Sequence, residues 1–306
     1  MRSVAGASYA PAMDLRHATP ADVAAWEADW RERLPEGYRQ RVERRREKPA
    51  DSRFEFALHT GGEHVGLLAM SDVPGQQPVQ MLLDDIVIDP AHRRKGHARA
   101  ALAAAVEHAR SRGAALVRVN LQPEDAAQAA LVEGLVVTSQ HMNLELAGAK
   151  PLPEGVTAER LTGADFDAWR AESVQGYAEL NAENGLGTLE ELLPEAEKEF
   201  AALLPQGADT EGHHLHKLVA GGEWVATIWV KAFYEPGTHF IFDVVADPAH
   251  RGKGYGRAAM LHGENLAVAD GATHLKLNVH GTNTLAIGLY ERLGYRTVYQ
   301  FRAIEL

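Results

Sequence analysis

The sequence contains no cysteine. Disulfides, thiolate metal centres and a cysteine nucleophile are therefore excluded, and with them covalent acyl transfer through a protein thiol. No apolar run approaches the roughly 18–20 residues that a membrane-spanning helix needs, so no membrane role is expected. The opening stretch MRSVAGASYAPAMDLRHATP has no apolar core behind its single early Arg and does not read as a secretory signal. Order is expected to begin at Met13, with residues 1–12 disordered, and the cytoplasm is the expected compartment. Low-complexity tracts are also missing.

What is present is charge, unevenly placed. The 306 residues carry a net charge of −11. Residues 1–150 are nearly balanced, with 19 Lys and Arg against 20 Asp and Glu, whereas residues 151–306 hold 12 against 22. An acidic half attracts cations and repels nucleic acid. Simple solubility explains it equally well.

The length suits two domains, and an internal repeat supports that division. Residues 89–102 read DPAHRRKGHARAAL and residues 247–260 read DPAHRGKGYGRAAM, with ten of fourteen positions identical at an offset of 158. The same offset pairs Asp85 with Asp243, Asn120 with Asn278, and Gly113-Ala114 with Gly271-Ala272. A repeat this long is a duplicated domain, not a solenoid unit. The Pro- and Gly-containing stretch 147–156 is the expected boundary.

Each half reads as the same order of elements. In the second, a strand at 156–160 precedes helices at 164–184 and 188–204, the latter opened by a Thr188/Glu191 capping box. Strands follow at 214–220, 223–233 and 238–246, the first two joined at Gly221-Gly222. Then come a helix at 254–269, a strand at 273–279, a helix at 283–293 and a last strand at 295–304. In the first half the long helix is expected at 96–112 and the hairpin turn at Gly61-Gly62. Strands mixed with helices in this way predict an α+β fold with a sheet flanked by helices.

The most informative segment is FDVVADPAHRGKGYGRAAM. A β-rich run ends at Asp247-Pro248, and a turn with Arg251, Gly252, Lys253, Gly254 and Gly256 leads into a helix. Unpaired backbone N–H groups and a positive helix end coincide there, with two cations beside them. Such a site suits a pyrophosphate. The glycine spacing is neither a dinucleotide fingerprint nor a Walker loop.

The pattern Arg251-x-x-Gly254-x-Gly256, together with Asn283, Ala286, Leu289-Tyr290-Glu291 and Leu293-Gly294-Tyr295 downstream, resembles the two signatures of the GNAT N-acetyltransferase superfamily. The resemblance covers most of residues 156–306, and the first half resembles it at Arg93-x-x-Gly96-x-Ala98. It implies two tandem GNAT-like domains, each a mixed, mostly antiparallel sheet flanked by helices, at 13–148 and 149–306. It implies acetyl-coenzyme A, or another acyl-coenzyme A, as acyl donor and a small-molecule primary amine as acceptor. The donor would lie on Val244, Val245 and Ala246, on Arg251, Gly252, Lys253, Gly254, Tyr255, Gly256 and Arg257, and on Asn283, which a helix-capping role explains as well.

The same resemblance implies that Tyr290 donates a proton to the departing thiolate, a transfer between groups of similar basicity. A core tyrosine is the alternative. Asp243 and His280 are candidate bases for the amine, and Asp243 is equally readable as a structural carboxylate. His213, His214 and His216 have no carboxylate pattern beside them in sequence, so no metal site is expected. The region 164–211, with Trp169, Tyr177 and several glutamates, is where the resemblance places acceptor recognition.

The first half departs from the pattern. An ungapped alignment puts Val132 at the position of Tyr290 and Asp125 at that of Asn283, and two residues are missing before Gly134. Arg93, Arg94, Lys95, Gly96, His97 and Ala98 form a possible second cofactor loop, but the acid is gone, so this half is expected to be non-catalytic. The stretch YRQRVERRREK at 38–48 reads as an exposed helix face or as a contact for RNA or a carrier domain. That leaves open a tRNA- or carrier-bound donor, and also a non-catalytic coenzyme A sensor. The chain is expected to be a monomer or a homodimer.

Overall fold

The computed structural model describes residues 12–33, 45–73, 79–183 and 187–306. The chain forms two compact units: residues up to Val137 together with Phe301–Leu306, and Thr138–Gln300. Each unit is a mixed sheet flanked by helices.

The second unit contains β7 (Val156–Arg160), α4 (Gly163–Glu183), α5 (Leu189–Leu203), β8 (His213–Ala220), β9 (Glu223–Glu235), β10 (Thr238–Ala246), α6 (Tyr255–Ala269), β11 (His274–His280) and α7 (Thr284–Leu293). Its sheet order is β12-β6-β11-β10-β9-β8-β7, where β6 is Val136–Glu145 and β12 is Arg296–Glu305. The elements read from sequence recur within one or two residues. The capping box forms, with Thr188 Oγ1 accepting from the Glu191 N–H and Glu191 Oε2 accepting from the Thr188 N–H.

The alternation in β11 explains its two faces: Leu275, Leu277 and Val279 are buried, while Lys276 and Asn278 turn the other way. One face of the sheet packs on α6 and α7 through Ile228, Val230, Ile241, Met260 and Tyr295. The other packs on α4 and α5 through Phe166, Trp169, Phe200, Leu215 and Trp229. Helix α6 comes close to β9 at Gly263, where a Cβ would stand 2.6 Å from Ile228 Cδ1.

The placement of the site rests on one irregularity. Strands β10 and β11 pair in parallel only from Thr238↔His274 to Ile241↔Leu277. Beyond that point β10 runs on to Ala246 and β11 to His280 without a shared register. On its β9 side, β10 bulges between Ile241 and Asp243, which leaves Phe242 as the extra residue. The two strands therefore part at the end where the glycine-rich turn begins.

The first unit repeats the plan with β1 (Asp14–His17), α1 (Pro20–Arg33), β2 (Arg53–Thr60), β3 (Glu63–Asp72), β4 (Gln80–Ile88), α2 (His97–Ser111), β5 (Leu116–Leu121) and α3 (Ala126–Leu131). Its sheet order is β1-β2-β3-β4-β5, followed by the last residues of the chain. The parallel β4–β5 pairing again stops after four residues, at Leu83↔Val119, and a bulge again falls at the equivalent place, leaving Asp84 extra.

Two expectations meet the structure differently. Residues 1–11 and 38–44, with Arg39, Arg41 and Arg44 of the basic stretch, lie outside the described residues. Within that stretch Arg45 is not on an exposed face. It is 3% exposed and paired to Asp84 at 3.0 Å and Glu55 at 2.6 Å. Arg46 pairs with Glu27, and Lys48 donates to Ser71 at 2.7 Å. A buried carboxylate at the bulge needs such a cation, so the residue type that read as a surface charge is core.

Candidate active site

Asp243 lies on β10 immediately past the bulge, where the strand loses its parallel neighbour. Burial pushes its carboxyl up to about 6, although the Val244 N–H and the Trp169 indole pull the other way. The indole is 4% exposed, held on α4 with its ring edge-on to Trp229 at 5.5 Å. Its N–H lies close enough to act on the carboxyl without completing a hydrogen bond of normal geometry.

Tyr290 is 7% exposed in the second turn of α7. Burial, and then the charge of Asp243, raise its phenol to about 12. The phenol thus stays protonated throughout the neutral range, and it lies close enough to Asp243 for that charge to act on it. Helix α7 is fixed at both ends. Asn283 caps it by accepting the Ala286 N–H at 3.1 Å, and Gly294, at φ +97°, ends it so that the Tyr295 N–H reaches the Tyr290 carbonyl at 3.0 Å. Capping is therefore what Asn283 does in this structure.

The loop after β10 begins with Asp247 accepting the Ala249 N–H at 2.7 Å. Gly252 and Gly254 then take φ of +77° and +87°, a region costly for residues with a Cβ. Space around both is open where a Cβ would stand, and Gly256 contacts Leu289. Helix α6, fifteen residues long, starts at Tyr255 with no side-chain cap. No side chain caps its first N–H groups, and Arg251, Lys253 and Arg257 beside them are exposed. This donor set fits a pyrophosphate. The loop, Asp243 and Tyr290 all belong to one unit and frame the parted end of β10. His280 does not join them by a hydrogen bond among the described residues; its carbonyl accepts the Asn283 N–H at 3.0 Å.

In the first unit the corresponding loop keeps its backbone path at a cost. Arg94 takes the place of Gly252 at φ +63°, and Gly96 matches Gly254 at φ +88°. Its cations are exposed but tied to the loop's own backbone: Arg93 donates to the Ile88 carbonyl at 3.0 Å and Lys95 to the Ala91 carbonyl at 2.9 Å. His97, 8% exposed, stands where Tyr255 does, with Ala98 after it. The region matching Asp243 is filled by side chains. Asp85 accepts the Trp26 indole N–H at 3.0 Å, and the Arg45 guanidinium lies 5.0 Å from the Trp26 ring centroid. Helix α3 has only six residues and no hydroxyl at the acid position. Aligned from its cap that position is Val132; aligned from Gly134 it is Ala130.

One arrangement was not legible in sequence. His214 and His239 both bond Asp270 Oδ2, at 2.7 and 2.9 Å, so His214 does have a carboxylate beside it, from the far end of α6. These three residues could be grouped around an ion. However, His239 Nδ1 accepts the Phe233 N–H at 3.3 Å, which puts the ring proton on Nε2, the atom a metal would need bare. Hydrogen bonding to Asp270 accounts for the geometry. His213 instead accepts the Trp229 indole N–H at 2.8 Å, and burial pushes it down to about 4.

Comparison with known proteins bears on this geometry. The family model described as Acetyltransferase (GNAT) family matches residues 22–133 and 175–295. A mycothiol acetyltransferase of Gordonia bronchialis is 30% identical over 255 residues, 79% of each chain. The uncharacterized N-acetyltransferase YdgE of Bacillus subtilis is 30% identical over 142 residues, 45% of this chain and 90% of that one. Among solved structures, a GCN5-related N-acetyltransferase from Sphaerobacter thermophilus superposes with a TM-score of 0.60 at 18% identity, covering 96% of this chain and 95% of that one. A tandem GNAT protein from the clavulanic acid biosynthesis pathway gives 0.52 at 19%, covering 96% and 98%. At these identities the structures speak to fold alone.

Proposed function

This chain belongs to the acetyltransferase (GNAT) family, and from that premise we propose that its second unit transfers an acyl group, most simply acetyl, from an acyl-coenzyme A to the primary amine of a small molecule. The observation that carries the reading is the influence of the Asp243 charge on the buried Tyr290 phenol, with Asp243 on the parted end of β10 that leads into the Arg251–Arg257 loop.

The donor, when bound, supplies an activated thioester. The protein's own groups do the rest. Arg251, Lys253 and the first N–H groups of α6 hold a pyrophosphate, and the unpartnered side of β10 around Val244–Ala246 offers backbone N–H to a polarised carbonyl. Asp243, with a carboxyl near 6, is ionised at neutral pH and takes the proton that the attacking amine must lose. Tyr290 gives its phenol proton to the sulfur as the carbon–sulfur bond breaks. The proton on Asp243 then returns to the Tyr290 oxygen, which resets both groups and balances the reaction.

The first unit supports a non-catalytic role: its acid position is apolar, and Arg45 with Trp26 fills the neighbourhood of Asp85. The pairing of Arg45, Arg46 and Lys48 within the unit gives no support to an RNA- or carrier-bound donor. The acidic second half favours a cationic acceptor. The test is thiol release from acetyl-coenzyme A across a panel of primary amines. Tyr290→Phe should lower turnover roughly 100-fold or more while binding coenzyme A as before. Thiol release that is amine-independent, or equal in that variant, would sink the reading.

A further inference from the structure

Trp169 carries a buried indole N–H with no hydrogen-bond partner. A buried donor left so is expensive, on the order of 1–3 kcal/mol, and its position needs a reason. The ring is fully packed: Phe166 lies at 5.7 Å, Trp229 at 5.5 Å and Phe200 at 6.4 Å. It is therefore not free to seek another partner. Trp229, which holds it edge-on, is the register partner of Asp243 on β9. The N–H consequently addresses the one carboxyl on the adjoining stretch of β10.

The duplicated unit shows the same pairing closed. Asp85 is the repeat equivalent of Asp243, and Trp26, on the first helix of its unit, donates to it at 3.0 Å. Trp26 and Trp169 are not aligned by the 158-residue offset, so the pairing is a property of the fold around the bulge and is invisible in the repeat itself. We propose that Trp169 is a positioning residue for Asp243: its indole N–H closes onto the carboxylate when the proton leaves, fixing which oxygen faces the amine. The open geometry then belongs to the protonated Asp243, and a closed one, of the form that Trp26 makes with Asp85, to its ion. The catalytic consequence rests on the reading of Asp243 as the base; the closure itself does not.

The other ionisable groups around Asp243 are Tyr290 on α7, His213 on β8 behind Trp229, and His280 at the end of β11. The experiment separates them. The intact chain, labelled with 15N at its five tryptophan indoles, is titrated by NMR through the weakly acidic to neutral range. One indole N–H resonance should shift downfield with a midpoint near 6. That shift should vanish in Asp243→Asn and persist in His280→Asn, and the resonance itself should be missing from Trp169→Phe. The Asp243→Asn comparison needs no tryptophan variant, so a misfolded Trp169→Phe leaves the result decisive. An indole that titrates unchanged in Asp243→Asn, or no titrating indole, overturns the proposal. In turnover, Trp169→Phe should raise the acid-limb midpoint by about one pH unit, because a donor to the charged form is lost. Its KM for acetyl-coenzyme A should not change. Trp26→Phe, which removes an equally buried indole from the other unit, should leave that midpoint in place. Absence of any acetyl transfer by the wild-type chain would defeat the functional reading while the NMR titration still decides this one.

Discussion

At the scale of single residues, Asp243 carries opposed consequences for activity and stability. Its carboxyl is raised from 3.8 to about 6 in the folded chain. Ionisation therefore costs stability that the unfolded chain does not lose. The cost is absent below the unfolded value, grows through the interval between the two, and is complete above about 6. The rise corresponds to about 1–3 kcal/mol after allowance for partial exposure. Asp243→Asn is thus expected to melt higher than wild type at pH 8 and to converge with it near pH 4, while transfer activity collapses. Calorimetry at the two pH values checks this, and an equal or lower melting point at pH 8 would contradict the burial argument. As candidates, Asp243 was legible from its place on the strand before the glycine-rich turn and Tyr290 from the LYERLGY segment. The indole beside Asp243 and the carboxylate beside His214 were not, since both come from helices distant in sequence and only packing brings them in.

At the scale of elements, spacing and caps located the strands and helices of the second half, because alternation, Gly pairs and the Thr188 box are local signals. The bulge at Phe242 and the parting of β10 from β11 are not local and had no signature in the pattern. Two glycine positions make the energetics of the elements testable. Gly263 lets α6 approach β9, and Ile228 opposite it is fully buried. Gly263→Ala would gain about 1 kcal/mol of helix propensity but force a 2.6 Å contact into a packed core, which costs roughly 1–3 kcal/mol. A net fall in melting temperature is expected, although the equivalent place in α2 holds a buried Ala105. Arg94 presents the reverse case. Held at φ +63°, it carries about 1–2 kcal/mol of left-handed strain, against about 0.5–1 kcal/mol for the added freedom of glycine. Arg94→Gly should leave denaturant stability unchanged or slightly higher, and a loss above about 1 kcal/mol would show that its guanidinium matters more than its backbone.

At the scale of the whole chain, the sequence repeats and the compact units are not the same partition. Repetition runs along the chain, whereas residues 138–145, from the end of the first repeat, belong to the second unit, and Phe301–Leu306 belong to the first. No linear pattern signals such an exchange, because a terminal strand reads alike wherever it pairs. The consequence is specific. The Leu306 N–H bonds the Ala115 carbonyl at 3.0 Å just before β5, Ile304 is 7% exposed within the first unit's core, and Arg302 holds the Val132 and Leu135 carbonyls after α3 at 3.1 and 3.0 Å. Deleting residues 301–306 should therefore weaken the first unit by at least about 3 kcal/mol, from the burial of Ile304 and several strand and side-chain hydrogen bonds. Hydrogen exchange on the truncated chain should show β5 and α3 losing protection while α6 and the start of β10, remote from the cut, keep theirs. If β5 amides stayed protected, the C-terminal residues would not be part of that unit. Because Tyr290, Asp243 and the Arg251–Arg257 loop, the groups proposed for acetyl transfer, all lie in the second unit, that activity should persist in the truncated chain at temperatures where its first unit has already opened.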